Sequence, residues 1–124
     1  GEGARYFRLA ADQGLADAQS DVGYCYSLGM GLEQDYYEGA RWFRLAANQG
    51  IARAQYSLGR CYFAGDGLVQ GFEEAARWLR LGADQDHAIG QVMLGKMLVG
   101  DGPGYARVPA DIPAGAKLLA RAAQ

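Results

Sequence analysis

Ala40-Arg41-Trp42-Phe43-Arg44-Leu45-Ala46-Ala47-Asn48-Gln49-Gly50 occurs three times in this chain with few changes. Thirty-six residues earlier it reads Ala4-Arg5-Tyr6-Phe7-Arg8-Leu9-Ala10-Ala11-Asp12-Gln13-Gly14. Thirty-six residues later it reads Ala76-Arg77-Trp78-Leu79-Arg80-Leu81-Gly82-Ala83-Asp84-Gln85-Asp86. A worn fourth copy, Ala116-Lys117-Leu118-Leu119-Ala120-Arg121-Ala122-Ala123, follows 40 residues after the third. A fixed period of this length marks stacked supersecondary units, each unable to bury its apolar face without a neighbour. The chain reads as a repeat array.

Each unit carries two helical patterns. In the first, Ala16, Ala18, Gln19, Val22, Gly23 and Tyr26 align with Ala52, Ala54, Gln55, Leu58, Gly59 and Tyr62. The next copy gives Ala88, Gly90, Gln91, Leu94, Gly95 and Leu98. Ala18, Val22 and Tyr26 fall at i, i+4 and i+8, one apolar stripe on one helix face. A helical glycine costs about 1 kcal/mol, so its recurrence at 23, 59 and 95 predicts a neighbouring helix too close for a Cβ. Glycine turns follow at 29–31, 65–67 and 100–102. The second pattern runs through the stretch quoted first, where Ala40, Phe43 and Ala47 share a face that Trp42 and Leu45 widen. Asp35 and Asp111 stand where a side-chain acceptor caps a helix start, with Gly71 in their place in the middle unit. Gly50 supplies a left-handed stop. These signals predict seven helices near 2–12, 16–28, 36–48, 52–64, 72–84, 87–99 and 113–123. One insertion breaks the rhythm: residues 103–113 hold all three prolines, Pro103, Pro109 and Pro113, and read as an extended loop whose last proline opens a helix.

Bulk properties narrow the function. Half of the 124 residues are apolar, enough for one domain's core, and the net charge of -2 argues against nucleic acid as the main partner. No run is long enough to predict membrane insertion. Cys25 and Cys61 occupy the same repeat position. Equivalent points on stacked helices lie about 8–10 Å apart, beyond disulfide reach, so two free core thiols are expected. His87, beside Asp84 and Asp86, reads as a helix cap and not as a metal ligand. The Gly-x-Gly turns lack the strand and lysine of a phosphate loop. No catalytic residue, metal site or cofactor is predicted. Arg5, Arg8, Arg41, Arg44, Arg77 and Arg80, extended by Lys117 and Arg121, form a row along the second helices. It reads as a solvated face in which Glu38, Glu73 and Glu74 pair with arginines one turn on.

The run Ala-x-Ala-Gln-x-x-x-Gly-x-x-Tyr, then Gly-x-Gly, then Ala-x-Trp-Phe-x-x-Ala-Ala-x-Gln-Gly resembles the Sel-one-like repeat (SLR), a relative of the tetratricopeptide repeat. Departures cluster in the third unit, at Gly82, Asp86 and Leu98. The resemblance implies an all-α, right-handed α/α superhelix forming one repeat domain. Its parts would be a half repeat at 1–14, repeats at 15–50 and 51–86, and a degenerate repeat at 87–124 with the inserted loop. It implies a non-enzymatic protein–protein interaction module: a scaffold, adaptor or inhibitor, with host-interaction or toxin-immunity roles among bacterial members. One alternative is a β-lactam-binding or hydrolysing protein of the cysteine-rich SLR group. Another is a structural segment of a longer protein, whose exposed terminal helices would allow end-to-end association. A soluble location is expected, cytoplasmic, or periplasmic or secreted if an upstream signal has been removed.

Placing the tetratricopeptide groove positions relative to Val22-Gly23 and its equivalents selects the partner-binding candidates. They are Asp17, Ser20, Tyr24 and Ser27; then Arg53, Tyr56, Arg60 and Phe63; then Ile89, Val92, Lys96 and Val99. Three cations, one acid and three rings predict a protein or peptide partner with acidic groups and an apolar anchor.

Overall fold

The computed structural model describes residues 8–85, 87–99 and 111–123, apart from the side chain of Ile112. Residues 8–12 are helical and lead into six helices. They are α1 (Ala16–Leu28), α2 (Tyr36–Asn48), α3 (Ala52–Ala64), α4 (Phe72–Asp84), α5 (Ala88–Val99) and α6 (Ile112–Ala122). The first four match the sequence expectation to the residue, and the last two differ from it by one. No strand occurs among the described residues. The molecule is an all-α repeat solenoid.

Local chemistry sets the helix ends. Asp35 accepts a hydrogen bond from the Glu38 N–H at 3.1 Å, and Asp111 accepts one from the Ala114 N–H at 3.1 Å. Gly71 offers no side chain, and no side-chain cap forms there. Pro113 sits in the first turn of α6, where its missing N–H has no helical partner to lose. The turn between α2 and α3 passes through Gly50 at φ +89°, a conformation that strains any residue bearing a Cβ. The remainder of the inserted loop, 103–110, lies outside the described residues.

The helices pack as antiparallel hairpins, α1 with α2, α3 with α4 and α5 with α6, and each hairpin rests on the next through α2–α3 and α4–α5. Within each hairpin the recurring glycine is needed. A Cβ on Gly23 would stand 2.7 Å from the Phe43 ring, one on Gly59 2.8 Å from Leu79, and one on Gly95 2.8 Å from Leu119. Phe43, Leu58, Leu79 and Leu94 are fully buried along the resulting core.

A glutamine ladder ties the units together. The buried amides of Gln19, Gln55 and Gln91 donate to the carbonyl oxygens of Ala11, Ala47 and Ala83. Gln49 and Gln85 in turn donate to the side-chain oxygens of Gln19 and Gln55 at 2.7 Å. Each of these two buried amides is thus held by the helices on either side, which offsets its desolvation and fixes how far one hairpin rotates on the next.

Candidate partner-binding groove

The nominated positions lie on α1, α3 and α5, the first helices of successive units, and α3 and α5 touch directly. Their exposure divides them sharply. On α1, Ser20 is fully buried with its hydroxyl unpaired, and Ser27 is buried too. A serine cannot reach past the helix seam from a position where Tyr56 and Val92 do. Tyr24 is half-buried, hydrogen-bonded to Ser57 at 2.6 Å and set edge-on to Phe43 at 4.9 Å. Of the first set only Asp17 stands out in solvent, and it is already engaged.

That engagement crosses units. Arg53 on α3 reaches back to α1, 3.2 Å from the Asp21 carboxylate and 3.5 Å from that of Asp17. It also donates to the Asp17 carbonyl at 3.1 Å. Asp21 falls between two nominated positions, so the groove pattern does not include it. With it, the trough loses one of its two net positive charges, and Arg53 braces neighbouring first helices.

The last position of each set turns inward. A Cβ on Gly39 would collide with the Ser27 hydroxyl, and one on Gly115 would sit 2.6 Å from Val99. Phe63 meets Phe72 edge-on at 5.4 Å. Ser27, Phe63 and Val99 therefore face the second helix of their own hairpin. Counting groove positions to the end of the first helix carries them one turn too far.

What remains is a set of positions on α3 and α5. Tyr56 stacks on His87 at 5.2 Å, and the Arg60 guanidinium lies 6.0 Å from the Tyr56 ring. Ile89 is 59% exposed and Val92 37%, with Lys96 exposed beside them. Neither Arg60 nor Lys96 has an ion-pair partner among the described residues.

The other chemistry is quiet. His87 Nδ1 accepts from the Gly90 N–H at 3.1 Å, so the ring caps α5, and burial lowers its pKa. Cys25 and Cys61 are free and buried. Burial pushes both thiols up, Cys61 to about 11, which leaves it un-ionised at neutral pH. No described helix is long and apolar enough to cross a membrane.

Four cations of the row on the second helices have side-chain partners. Arg41 pairs with Glu38 at 3.0 Å and Arg77 with Glu74 at 2.5 Å. Arg8 donates to the Tyr26 phenol at 2.6 Å, and Arg44 makes the equivalent bond to Tyr62.

Comparison with known proteins places this architecture. A family model described as Sel1 repeat matches residues 1–15, 16–51, 52–87 and 88–124. The crystal structure of a Sel1 repeat protein from Oxalobacter formigenes superposes with a TM-score of 0.84 at 29% identity, over 98% of this chain and 48% of that one. A second similar structure is c5321, a protective antigen present in uropathogenic Escherichia coli strains and displaying an SLR fold. It gives a TM-score of 0.87 at 30% identity, over 97% of this chain and 25% of that one. The chain thus spans about half the length of the first and a quarter of the second. No curated protein matches.

Proposed function

The chain belongs to the Sel1 repeat family, whose members are generally protein-interaction scaffolds, and on that footing we propose that it binds a partner segment across its first helices. The contact surface is the α3–α5 patch of Tyr56, Arg60, Ile89, Val92 and Lys96. The observation that carries this reading is the exposure of Ile89 and Val92 on the helix that carries Lys96, with neither Lys96 nor Arg60 ion-paired among the described residues. A single exposed aliphatic side chain means little, but exposed aliphatics together with an aromatic ring and cations match the anchor-plus-charge composition of protein-binding centres. The partner is a peptide segment that seats an apolar side chain on Ile89 and Val92 and presents a carboxylate to Arg60 or Lys96. Adaptor and inhibitor roles both follow from such a surface.

The chain acts by binding and not by catalysis. His87 is occupied as a cap, and the two thiols are buried and un-ionised. That Cys25 and Cys61 are free and stand one in each of two units weighs against the β-lactam alternative, since the cysteine-rich SLR group it resembles carries two cysteines within each unit.

The test starts from peptides selected from a random displayed library against the protein. Selected peptides should carry an apolar residue next to an acid. Their affinity should fall about tenfold or more in Arg60→Glu/Lys96→Glu, and again in Ile89→Asp, while circular dichroism stays unchanged. Peptides that bind these folded variants as tightly as the parent would refute the site.

A further inference from the structure

The repeat supplies its own controls for one more site. Two seams between successive second helices are plugged by tryptophan. Trp42 is 5% exposed and packs against Ala10, Ala11, Ala18, Val22 and Tyr26. Trp78 packs in the same way against the next cluster. Two cations stand over the first plug, with Arg8 and Arg41 at 6.0 and 5.3 Å from the Trp42 ring centre.

At the third seam four equivalent positions change together. Leu118 replaces Trp42 and Trp78, vacating the space of a ring. Leu98 replaces Tyr26 and Tyr62, so that position offers Arg80 no phenol to match those held by Arg8 and Arg44. Ala114 replaces Glu38 and Glu74, so that position offers Lys117 no acid to match those held by Arg41 and Arg77. Arg121 replaces Leu45 and Leu81 and adds a charge. The result is a cavity of about 280 Å³ with Leu94 and Leu118 among its walls and Arg80, Lys117, Arg121 and Asp84 around it. Neither Arg80 nor Lys117 has an ion-pair partner among the described residues. Ligand cavities begin at roughly 300 Å³, so this one fits a single ring system and little more.

We propose that the α4–α6 seam is a binding site for an aromatic ring that carries a carboxylate. The ring takes the place that Trp42 and Trp78 hold in the other seams, on the apolar wall and beneath Arg80 and Lys117. The carboxylate sits between Arg80 and Lys117, where an ionised acceptor gains charge-assisted hydrogen bonds. Asp84 opposes a second negative charge on the ligand. The site shares no residue with the α3–α5 patch and stands or falls apart from it. The same chemistry is offered by a free aryl acid and by the C-terminal tryptophan of a polypeptide.

The experiment titrates the isotope-labelled protein by NMR with two probes, indole-3-acetate and an acetyl-Gly-Gly-Trp peptide with a free C-terminus. Saturable binding at millimolar concentration or below should shift amides of α4 and α6. A free acid as the natural source predicts equal affinity for the two probes, and a polypeptide predicts tighter binding of the peptide. Removing the carboxylate, as 3-methylindole, should weaken binding about tenfold or more. Leu118→Trp should abolish it by refilling the seam, and Asp84→Asn should strengthen it. The proposal is overturned if neither probe binds the parent protein, or if Leu118→Trp binds as the parent does.

Discussion

The seams around Trp42 and Trp78 are closed, whereas the seam around Leu118 is open, although all three are built from the same repeat on the same backbone plan. In the Trp42 seam ring, phenol, acid and cation satisfy one another, with Trp42 under Arg8 and Arg41, Tyr26 on Arg8, and Glu38 on Arg41. In the open seam all three non-cationic members are gone and the cations stay. Helix-to-helix glycines and the Phe43, Leu79 and Leu119 series remain in both. The contrast teaches that the contact within a hairpin keeps the unit folded, while the plug between second helices can be surrendered. A cluster of outward cations means one thing over a filled seam and another over an empty one.

The sharpest way to break this contrast is truncation on either side of it. Trp42→Ala should cost about 3–5 kcal/mol, the range for a fully buried large aromatic. Leu118→Ala, at a half-buried residue beside an existing void, should cost under about 2 kcal/mol. Urea unfolding of the two variants checks this, and equal losses would mean that Leu118 is packed as tightly as the tryptophans.

A second difference is readable by pH. The closed units carry Cys25 and Cys61 where the last carries Met97, so the thiol effect belongs to the closed region alone. Burial raises Cys61 from 9.0 to about 11 in the folded chain. The folded state therefore holds its proton where the unfolded chain releases it. That stabilisation is complete below pH 9 and is lost as pH rises toward 11, by at most about 3 kcal/mol. Denaturant midpoints from pH 8 to 11 should fall more steeply in the parent than in Cys61→Ala.

Much of this was legible in the sequence, for reasons specific to repeats. The helix bounds came through because Asp35, Gly50 and the 36-residue register mark ends independently of propensity. The close approach at Gly23, Gly59 and Gly95 came through because the same costly residue recurs. The groove was only partly legible. Ser20 and Ser27 are polar and were nominated for the surface, yet the first is too short to emerge and the second lies against Gly39. Arg53 reads as a groove cation in the sequence, but its acid, Asp21, arrives from the neighbouring unit, a pairing that no spacing within one helix reveals. The open seam was written in the sequence as Leu118, Leu98, Ala114 and Arg121, but the four positions converge only once the hairpins are stacked.

A third prediction probes how much each region can yield. Gly59→Ala pushes a Cβ against Leu79, which is fully buried, and should cost about 1–3 kcal/mol. Gly95→Ala meets Leu119 at the same 2.8 Å, but Leu119 is only half-buried and can move. Its cost should be smaller, and thermal unfolding of the pair would show the reverse order if the last hairpin were the more rigid.

The most direct test of the difference between the seams is the melting temperature of Leu118→Trp. Restoring the repeat's own plug to the empty seam should add about 0.5–2 kcal/mol of stability and raise the midpoint by roughly 2 °C or more. A lower midpoint would mean that the indole has no room there, and that the third seam is closed by other means.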